Sequence, residues 1–194
     1  MMKLFFDFEM TGLHKNTTPI SLGIVSEDGK KFYAEFKDYD RNRCDEWIKD
    51  NVLDHCIMGG NKELFSRYTD DASLSGMIGS TLQIMDYLQD WLSQFGSIQF
   101  VSDVCHYDFV LLIDILTNGG TALDLPENIS PACIDLNQEI MRHFQISSRE
   151  AFDMSREQLM HDLCGEEDIV LGDKHNSLCD AEVIRAIWKE ICER

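Results

Sequence analysis

The sequence predicts an α/β fold in which helices flank a mixed sheet of five strands. Two observations lead to this prediction. Three consecutive strand patterns open the chain, so the first three strands are expected to be antiparallel. In the second half of the chain strand and helix patterns alternate, which is typical of α/β layer folds. The 194 residues, 44% of them hydrophobic, are enough for one ordinary core, which indicates a single domain over 1–194.

Apolar residues, partly in alternation with polar ones, predict the first three strands at 3–9, 19–26 and 31–36. A turn around Asp28-Gly29 separates the last two. A glycine that follows an aspartate readily adopts the positive φ of a tight turn, so these two strands are predicted to form a hairpin.

The later strands and helices are predicted from shorter runs of apolar residues. A fourth strand is predicted at 98–103 and a fifth near 132–136. Helices are predicted at 78–95, 107–117, 137–144, 155–163 and 177–192. The expected buried stripe of the first helix is Leu82, Met85, Leu88 and Leu92. Residues 59–77 contain two adjacent glycines and show no period, so we interpret them as a surface loop.

The charge is strongly negative, since 17 basic residues face 35 acidic ones and give a net charge of −18. This argues against a protein that coats nucleic acid through a basic surface. It does not argue against an enzyme that meets nucleic acid through divalent cations, because such ions invert the local charge. A solvated acidic surface is the simpler explanation of the charge as a whole.

Neither a membrane span nor a leader is predicted. No apolar stretch reaches 18 residues, and the first apolar run ends at Asp7, too early for a secretory segment. The seven cysteines include no CxxC pair, which favours reduced thiols and no structural zinc. A cytoplasmic location is therefore the expectation.

Two acids in the first strand occupy positions where a sheet protein normally places apolar side chains. Because side chains alternate along a strand, Asp7 and Glu9 share one face, about 7 Å apart at Cα, while Phe8 points into the core. Like charges this close repel, and a divalent cation between them would relieve the repulsion. The alternative is a strand end whose acids are hydrated.

A third acid lies at the start of the helix after the fourth strand. Without further context, helix capping is the favoured explanation of Asp108 at this position, and a functional role is the alternative. Asp103, five residues earlier at the end of the strand, is a competing candidate.

The last helix places a fourth acid on its buried side. The apolar stripe is Ile184, Ile187, Trp188 and Ile191. Asp180 lies four residues before this stripe and therefore on the same face, where an unpaired carboxylate is costly. Asn176 or Ser177 is expected to cap the helix, so His175 lies just outside it and can share a site with Asp180. The alternatives are a polar loop histidine and a capping acid.

Together these segments resemble the DEDDh group of 3′→5′ exonucleases, which have an RNase H-like fold. The run Asp7-Phe8-Glu9-Met10-Thr11-Gly12-Leu13 matches the first motif, the run Cys105-His106-Tyr107-Asp108-Phe109 the second, and the run His175-Asn176-Ser177-Leu178-Cys179-Asp180-Ala181 the third. All three motifs occur in the expected order. The branch that is most similar is that of small bacterial and phage exoribonucleases, related to oligoribonuclease and RNase T.

The resemblance implies a two-metal site with a histidine base. Asp7, Glu9 and Asp180 would hold one Mg²⁺ or Mn²⁺, and Asp7 would bridge to a second ion that Asp108 helps to place. Two such ions can stabilise the attacking and leaving oxygens of a phosphodiester. His175 would be the general base for the attacking water. Since the second motif lacks its common His-Asn start, Asp103 remains an alternative to Asp108.

The resemblance also implies the residues that bind the substrate. Met10, Thr11, Gly12 and Leu13 would line the pocket of the 3′-terminal nucleotide, with Leu13 as a wedge between the last two bases. Lys174 would meet a phosphate, although a solvated lysine explains it as well. Members of this group are often dimers, so a homodimer is a further expectation.

The function expected from the sequence is thus a metal-dependent 3′→5′ exonuclease for single-stranded 3′ ends, with RNA favoured over DNA. Two alternatives remain. One is a module on the same fold that binds nucleic acid or protein with little turnover, and the other is a metal phosphoesterase for a small nucleotide. The complete set of acids together with His175 argues against the binding module.

Overall fold

The computed structural model describes residues 1–103, 105–165, 170 and 174–193. The strands are β1 (Met2–Met10), β2 (Pro19–Ser26), β3 (Lys31–Phe36), β4 (Leu74–Gly79), β5 (Ile98–Ser102) and β6 (Ile134–Asp135). The α-helices are α1 (Glu46–Asn51), α2 (Lys62–Thr69), α3 (Thr81–Leu92), α4 (Cys105–Thr117), α5 (Leu136–Phe144), α6 (Ser148–Asp153), α7 (Arg156–Leu163) and α8 (Ser177–Cys192). Among the helices so described, none is long and apolar enough to cross a membrane.

The strands form one mixed sheet in the order β4-β3-β2-β1-β5-β6. β1 pairs antiparallel with β2, and β2 with β3, so the predicted antiparallel start and hairpin are confirmed. β5 lies parallel to β1 on its other side, and β6 is parallel to β5. The α/β prediction is confirmed, but the predicted count of five strands is wrong because β4 adds a sixth.

The predicted surface loop at 59–77 contains a helix and most of a strand. α2 occupies its middle, and β4 then pairs parallel with β3. β4 lies at the edge of the sheet and is largely accessible to solvent, with only Gly79 fully buried. An edge strand that covers little core needs no regular apolar alternation, so backbone pairing rather than sequence pattern defines it.

Helix α3 is shorter than the predicted 78–95 because a capping box sets its start. The Ser80 hydroxyl accepts from the backbone N–H of Gln83, and the Gln83 side chain accepts from the N–H of Ser80. The buried residues of α3 are Ile84, Leu88, Trp91 and Leu92. Leu82, which was predicted in the stripe, is 56% exposed. Ile84 and Trp91, 0% and 7% exposed, instead lie on the buried face together with Leu88 and Leu92.

The remaining predicted elements agree with the structure to within two residues, and α1 and α6 are additions. The two faces of β1 belong to different cores. Leu4, Phe6 and Phe8 pack in a core with α3 and α4, whereas Phe5 packs with α5, α7 and α8. The predicted alternation of β1 is therefore confirmed, and the Asp7 side of the strand faces α8.

Helix α8 begins directly against β2, and a glycine makes this possible. A Cβ atom at Gly23 would lie 2.3 Å from the backbone nitrogen of Leu178. Only a residue without a side chain allows so close an approach. The Ser21 and Ser177 hydroxyls, 2.9 Å apart, hold the same contact. This packing brings the first turn of α8, and with it Asp180, close to the carboxyl end of β1.

Candidate active site

The carboxyl end of β1 supplies the first two acids of a cleft. Asp7 and Glu9 lie on the same face of the strand and both line one cavity of about 590 Å³. Phe8 between them is only 4% exposed and packs in the opposite core, as predicted. The strand therefore separates the polar side chains of the cleft from the apolar core behind them.

Three carboxylates form a first group beside β1. One oxygen each of Asp7, Asp103 and Asp108 lies within 4.8 Å of the other two. Asp108 is in the first turn of α4 and is 1% exposed, and its Oδ2 accepts from the Ser102 hydroxyl at 2.5 Å. Asp103 and Asp108 were predicted as alternatives for the acid of the second motif. In the structure both lie close to Asp7.

An arginine that sequence reasoning missed holds one of these acids. Arg156 Nε lies 3.2 Å from Asp103 Oδ2, and Nη1 of the same side chain donates to the carbonyls of Ala151 and Met154 at 3.1 and 2.9 Å. Arg156 therefore joins the end of β5 to the link between α6 and α7. The two partners are 53 residues apart, so no local pattern could have paired them.

A second group joins β1 to the start of α8. Glu9, His175 and Asp180 each place one ligand atom within 4.8 Å of the others. His175 Nδ1 lies 3.8 Å from Glu9 Oε1, and the His175 backbone N–H donates to Asp180 Oδ2 at 3.1 Å. The prediction that His175 and Asp180 lie close together is confirmed. With φ at 63°, His175 has a left-handed backbone, which turns the chain sharply into α8.

Helix α8 is capped as the sequence predicts. Asn176 Oδ1 accepts from the backbone N–H of Cys179, and Asn176 Nδ2 donates to the carbonyl of His55 at 3.1 Å. The Trp47 ring also meets the His175 ring edge to face, with the ring centres 5.1 Å apart. Sequence reasoning missed Trp47, for which the only local signal is a large apolar residue in an acidic stretch.

Burial and mutual repulsion perturb the acids of the cleft. Loss of solvent raises the pKa values of Asp7, Asp108 and Asp180 well above the ordinary range, and neighbouring carboxylates raise them further. The pKa of Asp103 is also raised by burial, although Arg156 opposes the shift. These carboxylates are costly to ionise together without a cation, and all of them offer the oxygen donors that Mg²⁺ and Mn²⁺ prefer.

The predicted substrate residues differ in how they face the cavity. Met10, Gly12, Leu13 and Lys174 line it. Thr11 is 2% exposed and its hydroxyl accepts from the Thr18 backbone at 2.9 Å, so its side chain shapes the loop instead. Leu13 is 63% exposed, and its carbonyl accepts from the Tyr107 hydroxyl at 3.1 Å. The Lys174 ammonium lies 3.5 Å from Glu157 Oε1.

Solved structures with a similar fold include a DEDDh nuclease domain and a full-length 3′-exonuclease. The nuclease domain of 3′hExo, a DEDDh family member, bound to rAMP superposes with a TM-score of 0.62 over 96% of this chain and 88% of that chain, at 13% identity. The full-length 3′-exonuclease gives a TM-score of 0.63 over 96% and 79%, at 12% identity. The chain has the fold of a DEDDh nuclease domain. The RNase H-like fold prediction is thereby confirmed.

The DEDDh resemblance is also supported by sequence relatives. Two proteins of Mycobacterium tuberculosis, the 3′-5′ exoribonuclease MT2234.1 of strain CDC 1551 / Oshkosh and the 3′-5′ exoribonuclease Rv2179c of strain ATCC 25618 / H37Rv, are each 35% identical over 52 residues. The match spans 27% of this chain and 31% of each relative, about a third of their length. No family model matches the sequence.

Proposed function

We propose that this protein is a divalent-metal-dependent 3′→5′ exonuclease that shortens single-stranded 3′ ends, with RNA preferred to DNA. One observation carries the proposal: acids from β1, the end of β5 and α8 converge with His175 on one cavity, and Asp108 of α4 lies within 4.8 Å of Asp7 behind it. The names of the matched relatives support exonuclease chemistry, and their description as exoribonucleases supports the preference for RNA.

The resemblance to the DEDDh group assigns the acids to the metal ions: Asp7, Glu9 and Asp180 would hold one ion, and Asp7 and Asp108 a second. The structure supports this by holding these acids in two adjoining groups, one of them with His175 and the other with Asp103. The donor set fits hard cations, because it consists of carboxylates whose repulsion an ion would relieve. When bound, two divalent ions supply charge stabilisation to the attacking and leaving oxygens of the phosphodiester.

His175 is proposed to take the proton of the attacking water at an imidazole nitrogen. The water oxygen forms a bond to the phosphorus of the last phosphodiester, and the bond from phosphorus to the 3′ oxygen of the preceding nucleotide breaks. That leaving oxygen takes a proton from solvent. The products are a nucleoside 5′-monophosphate and a strand with a new 3′ hydroxyl. Glu9 near the ring and Asp180 at the backbone N–H fix the orientation of His175.

The apolar lining of the cavity is proposed to bind the terminal bases. Leu13 and Trp47 both line the cavity and are 63% and 54% exposed, so their apolar surfaces are available to a nucleobase. Stacking on an aromatic ring is worth about 1–3 kcal/mol per base. Lys174 lies at the same cavity and would approach a phosphate by exchanging its ion pair with Glu157.

Digestion of matched RNA and DNA oligonucleotides tests the proposal. With a label at the 5′ end and Mg²⁺ or Mn²⁺ present, we expect a ladder of shortened products, faster for RNA, and none in excess EDTA. Asp7→Ala and Asp180→Ala should each remove nearly all turnover. Asp90→Ala is the matched control, since Asp90 is an exposed acid on α3. Undiminished digestion by both cleft variants would refute the proposal.

The role of His175 is tested separately from metal binding. Removal of a general base typically costs about 10²–10⁴-fold in rate. We therefore expect His175→Ala to slow hydrolysis by this amount while calorimetry shows Mn²⁺ binding close to that of the unmodified protein. A loss of Mn²⁺ affinity equal to the loss of rate would instead make His175 a ligand.

A further inference from the structure

Another buried acid lies outside the cleft, on the strand next to the β4 edge of the sheet. Glu35 on β3 has no exposed surface. Its Oε1 accepts from the Tyr33 hydroxyl at 2.7 Å and from the backbone N–H of Ile57 at 2.5 Å, and its Oε2 accepts from the N–H of Met58 at 2.7 Å. The carboxylate therefore ties the backbone after α1 to the sheet.

The segment held by Glu35 reaches the start of α8. Two residues before Ile57, the His55 carbonyl accepts from the Asn176 side chain at 3.1 Å. Asn176 is 1% exposed and also caps α8, and it follows His175 directly. A displacement of 55–58 would therefore remove a support of the residue next to His175.

The same stretch of chain also touches the His175 ring. Trp47 on α1 meets this ring edge to face, at 5.1 Å between centres and with 77° between planes. Glu9 Oε1 lies 3.8 Å from Nδ1 of the same ring. Two of the contacts around His175, the Trp47 ring and the bond through Asn176, thus belong to the segment between residues 46 and 58.

We propose that Glu35 is a positioning residue that fixes His175 through the segment 46–58, by way of Trp47 and Asn176. The inference rests on the proposed function, in which His175 handles a proton of the attacking water. The left-handed backbone of His175 persists only where surrounding contacts hold it in place. Small misplacements of a proton-transfer group lower the rate steeply, since reacting atoms must be aligned closely.

The Glu35→Gln variant tests this with little change in shape. An amide offers one acceptor oxygen, so a backbone N–H of Ile57 or Met58 loses its partner. We expect kcat to fall about tenfold while the Mg²⁺ concentration for half-maximal activity stays the same. Ser26→Ala is the control: Ser26 is equally buried and binds Lys30 by hydrogen bonds, but at the other end of β2.

The chemical shift of the His175 ring gives a readout independent of turnover. The ring current of Trp47 shifts this resonance. The His175→Ala variant identifies the resonance by its disappearance, and the Trp47→Leu variant gives its position without the aromatic neighbour. In the full-length Glu35→Gln protein the shift should move toward the Trp47→Leu value, and in Ser26→Ala it should stay at the wild-type value. If Glu35→Gln does not fold, Glu35→Asp, which keeps the charge on a shorter side chain, should move it in the same direction.

The outcomes separate the two proposals. A lower melting temperature in Glu35→Gln with unchanged kcat and an unchanged His175 shift would make Glu35 a purely structural residue and overturn the inference. Lack of hydrolysis by the unmodified protein would overturn the proposed function instead, while the chemical shift would still report whether Glu35 positions His175.

Discussion

Asp7 and Glu35 are both acids on strands of one sheet, but their surroundings are opposite. Hydrogen-bond donors surround Glu35, which accepts from one hydroxyl and two backbone N–H groups. Carboxylates surround Asp7, and oxygens of Asp103 and Asp108 lie within 4.8 Å of its own. The fold can therefore satisfy a buried acid with its own donors. At Asp7 it accumulates negative charge instead, which points to a cation as the missing partner.

The sharpest test of this difference is to remove one charge from the acidic group. Asp7→Asn keeps the shape of the side chain, and we expect exonuclease activity to fall about a thousandfold because the charge that binds the metal ions is lost. In EDTA the same variant should melt at a higher temperature than the unmodified protein, since repulsion with Asp103 and Asp108 is relieved. Calorimetry that shows destabilisation in EDTA would contradict the contrast with Glu35.

The pH dependence of stability in EDTA is the next test of the acidic group. Glu35 contributes with the same sign, because burial raises its pKa although its hydrogen-bond donors oppose the shift. The pKa values of Asp7, Asp108 and Asp180 are raised by burial and by neighbouring acids, so the folded protein binds more protons than the unfolded chain above about pH 4. Stability should therefore be fully present below about pH 4 and be lost as the pH rises through the folded pKa values. Each unit of pKa difference is worth about 1.4 kcal/mol at one group.

Denaturant unfolding in EDTA at a series of pH values measures this trend. Asp7→Asn should show a shallower decline than the unmodified protein, because one of the carboxyl groups with a raised pKa no longer titrates. A stability that rises steadily with pH in EDTA would mean that the acids of the cleft are already compensated by groups of the protein.

Metal binding should stabilise the acidic group specifically. At a concentration of Mg²⁺ or Mn²⁺ about a hundred times its Kd, the gain is about 2.7 kcal/mol, or roughly 5–11 °C in melting temperature for a chain of this size. Differential scanning calorimetry should show this shift in the unmodified protein and in Asp90→Ala, and a much smaller one in Asp7→Asn. Equal shifts in all three would place the bound ions elsewhere on the acidic surface.

The smallest change is expected when Glu35, whose carboxylate is fully hydrogen-bonded, is replaced. Glu35→Gln leaves a buried N–H without an acceptor, so we expect a loss of about 1–3 kcal/mol in the free energy of unfolding. Because Glu35 lies outside the two acidic groups, the metal-induced rise in melting temperature should persist in this variant. Loss of that rise would show that the two sites are not independent.

Local patterns were sufficient for much of the fold and for the acids of the motifs. Alternation along β1 placed Asp7 and Glu9 on one face, and the cap at Asn176 placed His175 beside Asp180. Such features depend on neighbours within a few residues. By contrast, β4 was missed because an edge strand shows little apolar alternation, and its pairing with β3 spans some forty residues.

What the sequence by itself determined is therefore the order of the main elements and the residues that can carry charge to the cleft. Only the tertiary structure decided that Asp103 and Asp108 both lie beside Asp7, that Arg156 holds Asp103, and that Trp47 touches His175. The physical reason is the distance along the chain over which each kind of interaction acts. Backbone periodicity and capping act over one or two turns, whereas these contacts join residues tens to more than a hundred positions apart, whose proximity follows from packing.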